Sequence, residues 1–430
     1  MAGFVPTGVT TAEVKNPNGN LTLTPATGSH LTLDGLNWPT QDRGQPGQFL
    51  QTNGDGGLLW AFPDLSNAIS VVDEDTTFYV ATNGNDVTGD GSSGSPWATI
   101  EHALAYLGNK WINSTVTVTI QVGDGTFTST APITPIHPCG SRIAIAGANT
   151  YSRTLSSVQS SSGSAGNWSY VLNLNSVANI AAGDYVLIKG LSGGTRPTYL
   201  SGCHYVSNVD IGNNRFTVTV KHPSASVASG AVTGTVIVVK TVLYFSQSYG
   251  FSFTGTRLKS IDKVVLKGPN PGGGNYAVGC YATNNAGAAL GPTLGMSGWD
   301  QCLLVTVSAA AQFAGVLSYA TYGINTQQGG AVLSAGDCVF SALTIAMYAS
   351  SGGICWINTP MITGCTYGSY AERQAVTAVY QGTVEACSTY GLYAGDSGFC
   401  ISGSTCTFRD NGTNTSPALQ TRGNNEGYIS

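Results

Sequence analysis

Four consecutive segments, beginning at Tyr322, Ile345, Tyr367 and Tyr390, align on one another at a spacing of 22 or 23 residues. The agreement runs down columns. The second column holds Gly323, Ala346, Gly368 and Gly391, and the fifth holds Thr326, Ala349, Ala371 and Ala394. The tenth holds Ala331, Ile354, Val376 and Phe399, and the eighteenth Val339, Ile362, Val384 and Thr407. A repeat this short, rich in small and β-branched residues and without helical periodicity, cannot bury its own apolar side. It has to stack on the next copy, which predicts a parallel β-solenoid.

Composition agrees. Only 9% of the 430 residues are charged, against about 25% in an ordinary soluble domain, and 57 are glycine. Such a chain suits many short strands joined by tight turns. The net charge is −5 and there is no run of Lys or Arg, so nucleic-acid binding by phosphate neutralisation is not expected. Neither a basic and apolar leader in the first 25 residues nor a run of 18 apolar residues is present, so neither a signal peptide nor membrane insertion is expected.

The ten cysteines fall into columns. Cys355 and Cys400 share the eleventh, Cys338 and Cys406 the seventeenth, and Cys365 and Cys387 the twenty-first. Cysteine behaves as a small buried hydrophobe, so inward ladders of free thiols are expected, with a Cys365–Cys387 disulfide as the alternative. Cys302 is expected to belong with Cys338. No His/Cys cluster has zinc spacing, no phosphate loop or nucleophile elbow occurs, and no cofactor is expected.

Upstream of the repeats, two alternating strands over 21–24 and 30–34 are predicted across a turn at 25–28. Gly35-Leu36-Asn37-Trp38-Pro39 follows, then Gly44-Gln-Pro-Gly47-Gln48-Phe-Leu50, then Asn53-Gly-Asp-Gly-Gly-Leu-Leu-Trp60 with its hairpin-turn dipeptides. This piece is too small for a core of its own. The Gly-Leu-x-Trp-Pro segment and the Gly-Gln-x-Leu-x-Thr-x-Gly run resemble a module near the N-termini of bacteriophage tail-fibre and other virion proteins. Asp42-Arg43-Gly44 and the doubled Gly56-Gly57 depart from it. Phe78-Tyr-Val-Ala-Thr-Asn-Gly84-Asn-Asp86, followed by Asp90 to Pro96-Trp97-Ala-Thr-Ile100, resembles the opening of right-handed parallel β-helices of the pectin-lyase type, found in polysaccharide lyases and phage tailspikes. Ser95 is expected to N-cap a short helix with Pro96 at its first position and Ile100, Ala103, Leu104 and Leu107 on its apolar face. That helix would cover the open end of the solenoid.

Strands are predicted over 116–122, 142–146 and 170–174. A change of texture over 167–242, with strands at 183–188, 204–206, 215–220 and 232–239, predicts an antiparallel β insertion. It resembles a Gly-Asp-Tyr-Val-containing module of phage tail β-helices. Solenoid strands resume at 264–266. The resulting organisation is a virion-attachment module over 1–65, the start of the β-helix with its capping helix over 66–166, the insertion over 167–242, rungs over 243–412, and a cap or free tail over 413–430.

Glycan cleavage on such a scaffold needs two carboxylates at a set separation. Asp300, Asp337, Glu372, Glu385, Asp396 and Asp410 are available, and Glu372 with Asp396 is the one close pair the columns suggest. Turn-stabilising surface acids are the simpler assignment. A lyase would also want a basic residue, and the repeats supply only Arg373 and Arg409. Asn85, Asp86 and Asp90 could ligate calcium or simply brace turns. The fourth column, Asn325, Tyr348, Tyr370 and Tyr393, points outward if the first, third and fifth point inward. If the phase is shifted, the tyrosines are ordinary packing residues. An outward Tyr348, Tyr370, Tyr393 stripe would form a glycan-contacting surface or, as low charge favours, a subunit interface.

The expected protein is all-β: a right-handed parallel β-helix with a short N-terminal β attachment module and a small antiparallel insertion. The resemblances imply a tail fibre or tailspike located in the virion and made in the host cytoplasm. They also imply a homotrimer, bound to other tail or baseplate proteins through residues 1–65 and adhering to host-surface polysaccharide. The alternatives are a glycan depolymerase, hydrolase or lyase, on the same scaffold, or a purely structural tail or head-decoration component.

Overall fold

The computed structural model describes residues 32–33, 36–37, 48–52, 55, 57–62, 428–429, and 70–416 apart from 222–225, 248, 270–276, 335 and 404. Residues 1–69 and 70–430 form separate compact units. In the first, Thr32–Leu33 runs antiparallel to Leu36–Asn37. Phe49–Thr52 pairs antiparallel with Leu58–Ala61. The strand expected at 21–24 and its turn lie outside the described residues.

The second unit is a right-handed parallel β-solenoid of about 12 turns. Three sheets form its walls. Sheet I has eleven strands, from Thr76–Val80 to Tyr428–Ile429; sheet II has nine, from Gly125–Ser129 to Thr407–Arg409; sheet III has eight, from Tyr249–Thr254 to Thr413–Ser416. One complete rung runs Tyr322–Thr326 on sheet III, Ala331–Ser334 on sheet I and Val339–Ser341 on sheet II. Thr413–Ser416 and Tyr428–Ile429 add to sheets III and I, so the segment expected as a cap or tail continues the solenoid in part.

Stacking identical positions produces ladders. On sheet III, Phe251, Cys280, Leu303, Ile324, Met347, Ser369 and Leu392 lie in register and are all buried. On sheet II the inward ladder contains Phe340, Ile362, Val384 and Phe408. The predicted eighteenth column is therefore out of register by one residue at both ends, since Val339 pairs with Met361, and Thr407 with Thr383. Repeats of 22 and 23 residues differ in their turns, and a one-residue slip exchanges the two faces of a strand. Cys302 lies on sheet III beside Gln301, the partner of Tyr322, and so falls in the second column away from Cys338. All ten cysteines are free thiols, and all but Cys406 are buried.

The helix spans Ile100–Leu107 and buries Ile100, Ala103 and Leu107 against the same core as the Thr76–Val80 strand. Its N-cap is Thr99, whose hydroxyl accepts from the His102 amide, and not the expected Ser95. Trp97 bridges to Val80 in parallel, which holds residues leading to the cap extended and delays helix initiation past Pro96.

A closed antiparallel barrel of six strands interrupts the solenoid: Thr150–Ser164, Asn167–Leu174, Tyr185–Ser192, Gly202–Asp210, Arg215–Val220 and Thr233–Val239. It leaves sheet I after Ile143–Gly147 and returns to sheet II at Thr241–Phe245. It starts 17 residues before the predicted boundary at 167, counting from Thr150. The serine-rich first strand buries only Leu155 and Val158, too little alternation to read as sheet. Closure removes the free edges that an open insertion would present. Leu187, Cys203, Ile237 and Val239 of the barrel pack on Val242, Val265, Val316 and Val339, the outer positions of sheet II.

Candidate functional site

The outer face of sheet III carries aromatic rings on its last rungs. Asn325, Tyr348, Tyr370 and Tyr393 stack in parallel register, and the three tyrosines are half-buried on the outside. The first column is also outward, contrary to the alternation assumed for it: Tyr322, Tyr367 and Tyr390 are half-buried there as well. Strict period-two alternation fails because the second and third columns, Gly323-Ile324 and Gly368-Ser369 among them, are both buried. A Cβ on Gly368 would stand 2.4 Å from the Gly391 carbonyl oxygen, so the strand bends inward where only a small residue fits.

Six tyrosines thus form one surface. Ring centroids lie 5.4 Å apart for Tyr322–Tyr348, 5.5 Å for Tyr348–Tyr370, 4.7 Å for Tyr370–Tyr393 and 5.1 Å for Tyr390–Tyr393. Tyr367 bridges the two columns, 5.5 Å from Tyr370 and 5.8 Å from Tyr390. Glu372 lies at the edge and accepts hydroxyl protons from Tyr348 at 2.6 Å and from Tyr370 at 3.2 Å. Burial, reinforced by the Glu372 bond, pushes the Tyr348 phenol up to about 12, and burial with the Glu372 charge also raises Tyr370. Both phenols therefore remain donors across the physiological range.

The Glu372 and Asp396 pair is joined through a cation. Arg373 Nε is 3.7 Å from Glu372 and 3.8 Å from Asp396, and Asp396 is 69% exposed. The other acids are also engaged. Asp300 accepts from the Ala277 amide, Asp337 from the Thr359 hydroxyl, and Asp410 pairs with Arg196 at 3.5 Å. Near the capping helix, Asp86 accepts from the amides of Ala98 and Thr99 and from the Thr99 hydroxyl. Burial opposes ionisation of Asp86, but the bonds from Thr99 and Ala98 outweigh it and hold its pKa below the ordinary value. Asp90 accepts from the Ser92 amide, and Asn85 from Val87 and Thr88. Among the described residues no three His, Cys, Asp or Glu side chains are grouped to hold a metal.

Sheet I carries a second apolar outer surface on the same rungs, and it includes Ile354 and Phe399 of the tenth column, whose outward direction the repeat did not show. Leu333, Ile354, Trp356 and Phe399 are each 40–48% exposed, and Trp356 stacks on Tyr380 at 5.0 Å. Sheet II differs. Beside the valine column under the barrel, its second outward column, Lys267, Ser297, Ser318, Ser341, Thr363, Glu385 and Arg409, is a polar ladder. Ser318 Oγ accepts from the Cys203 amide of the barrel and bonds Ser341 at 2.7 Å. Glu385 is only 2% exposed, and burial raises its pKa although Arg409 is bonded to it.

At one end of this ladder the barrel and the solenoid flank an open cleft of about 800 Å³. Barrel residues Tyr185, Tyr205 and Lys221 face Lys267, Gly298 and Tyr319 across it. No signal in the sequence announces it, because its walls come from segments far apart in the chain, Gly166 to Lys221 on one side and Lys267 to Gly364 on the other.

No family model and no curated protein sequence matches the chain. Among solved structures, one described as "Glycoside hydrolase" is similar over 82% of this chain and 96% of its own, at 8% sequence identity and a TM-score of 0.22. A score of that size supports no assignment of activity.

Proposed function

We propose that the chain is a virion tail-fibre or tailspike-type protein that self-associates as a homotrimer and adheres to host-surface polysaccharide. In this reading residues 1–65 attach it to other tail or baseplate proteins. The observation that carries the adhesive, non-catalytic role is the six-tyrosine face with its acid engaged: Glu372 holds two phenols, and Arg373 stands between it and Asp396. A hydrolytic pair needs one carboxylate free to donate and another free to attack or to activate water. Glu372 is instead a fixed acceptor that orders the aromatic surface.

Self-association is supported by the concentration of both apolar outer surfaces, on sheets III and I, in the same C-terminal rungs. Contiguous exposed aromatic patches mark interaction sites, and tyrosine is enriched in them. A stacked solenoid holds such a surface at little entropic cost, because its backbone is already ordered.

Light scattering on the purified chain, followed by incubation with host cells and isolated capsule or lipopolysaccharide, tests the proposal. The expected result is a mass of three chains of 44.2 kDa each, binding to cells, and no released oligosaccharide. Oligosaccharide release would overturn the non-catalytic role. A monomer that binds cells through the tyrosines would reassign that face from subunit interface to glycan contact.

A further inference from the structure

We infer that the cleft between the barrel and sheet II is a binding site for an anionic saccharide, one carrying carboxylate or phosphate groups. The inference deepens the adhesion reading by giving it a location and a ligand class, and it rests on that reading.

The charge pattern comes first. The chain carries a net −5, yet Lys221 and Lys267 both line this cleft and no Asp or Glu is among the described residues lining it. The two lysines come from different modules, one closing the barrel's Arg215–Val220 strand and the other ending a sheet II strand, Val265–Lys267. Burial works against the Lys267 ammonium, and the Lys221 charge adds to that, so the Lys267 pKa is lowered. An anion seated between them would offset both effects.

Aromatic rings line the same space. Tyr205 is 52% exposed and meets Tyr185 edge-on at 5.6 Å, while the Tyr319 ring lies 6.0 Å from Lys221 Nζ. Rings beside cations are what a sugar with charged substituents requires: a flat apolar surface for the ring carbons and fixed positive charge for the acid. At about 800 Å³ the space is within the roughly 300–1,000 Å³ of small-ligand pockets.

The site is also preorganised. Tyr319 sits at a corner with φ of 56° and reaches out to the barrel. Its hydroxyl is 2.6 Å from His204 Nδ1 and 3.2 Å from the Thr219 carbonyl oxygen. His204 Nε2 lies 2.9 Å from the Leu200 carbonyl oxygen, so the imidazole is held between the barrel backbone and the Tyr319 hydroxyl, which itself donates to the Thr219 carbonyl. This bond, with the Ser318–Cys203 bond and the apolar cluster around Leu187, locks the two walls together before any ligand arrives.

Calorimetric titration of the full chain with oligogalacturonate, a phosphorylated mannan fragment and neutral dextran oligomers tests this. The carboxylate and phosphate arms tell the two sources of charge apart. Binding is expected for at least one anionic probe and not for dextran, weakening as salt is raised. Lys221→Gln and Lys267→Gln are each expected to weaken it about tenfold, roughly 1.4 kcal/mol, and Tyr205→Ala several-fold, with unchanged melting temperature. Lys221 is exposed, so its variant remains informative if Lys267→Gln folds poorly. Dextran binding as tight as either acid, no binding of any anionic probe, or anionic binding that survives both lysine variants would overturn the inference. Adhesion to host cells that is lost in tyrosine-face variants and kept in the lysine variants would sink the cleft alone and leave the adhesion reading standing.

Discussion

Sheets II and III belong to the same solenoid, share the same rung spacing and send equivalent inward ladders into one core, yet their outer faces are unlike. Sheet III shows six tyrosines on its last rungs. Sheet II shows two outward columns, an apolar one with Val242, Val265, Val316 and Val339 under the barrel and beside it a ladder of lysine, serine, threonine, glutamate and arginine. The difference teaches that rung stacking constrains only the inward positions. An outward column is free to vary with what covers it, and here one face is covered by an inserted barrel while the other is left as a half-buried aromatic surface.

The sharpest way to break that comparison is to undock the barrel. Leu187→Ala, at the centre of the apolar contact with sheet II, is expected to cost about 2–5 kcal/mol. Denaturant unfolding monitored by hydrogen exchange should show protection falling in the barrel while the sheet III ladder keeps its own. Equal loss in both would mean that barrel and solenoid unfold as one unit. Ser318→Ala leaves the buried Cys203 amide without its acceptor and is expected to cost about 1–3 kcal/mol, read as a lowered melting temperature. An unchanged melting temperature would mean that the polar ladder does not hold the barrel.

On the tyrosine face the expected stability effect is smaller and the assembly effect larger. Tyr370→Ser removes ring contacts worth about 0.5–1.5 kcal/mol and, if the proposed trimer forms through this face, should leave a folded chain of single-chain mass by light scattering. A trimer as stable as the parent would move the interface to the sheet I surface around Trp356. The smallest effect is at Glu385. Its pKa is raised in the folded chain, chiefly by burial, so its contribution to stability is present below the ordinary glutamate value and fades as pH rises through the raised one. Glu385→Gln cannot ionise, and the decline in melting temperature as pH rises above the ordinary glutamate value should be shallower in the variant than in the parent. Parallel pH profiles would show that Arg409 alone satisfies the carboxylate.

How much was legible follows from the same contrast. The spacing of Tyr322, Ile345, Tyr367 and Tyr390 is a local, repeated signal, and it appears in the structure as parallel register column by column. The cysteine ladders were legible for the same reason. The eighteenth column slips because its turn lengths differ, and the condition that the first column points inward fails because the second and third columns are both buried. Of the candidate site, Tyr348, Tyr370 and Tyr393 were readable as an outward stripe, but nothing in the repeat showed that Glu372 would be held by two of their hydroxyls.

By itself, then, the sequence determined a stacked parallel solenoid, its free buried thiols and an antiparallel insertion, because these follow from periodicity and from the need to bury each rung against the next. Only the tertiary structure decided that the insertion closes into a barrel from Thr150, that it seats on sheet II, and that Lys221 and Lys267 meet across a cleft lined by Tyr185, Tyr205 and Tyr319. The physical reason is distance along the chain. A rung repeats its contacts every 22 or 23 residues, whereas the cleft depends on how one module's outer surface docks on another, and no local spacing encodes that.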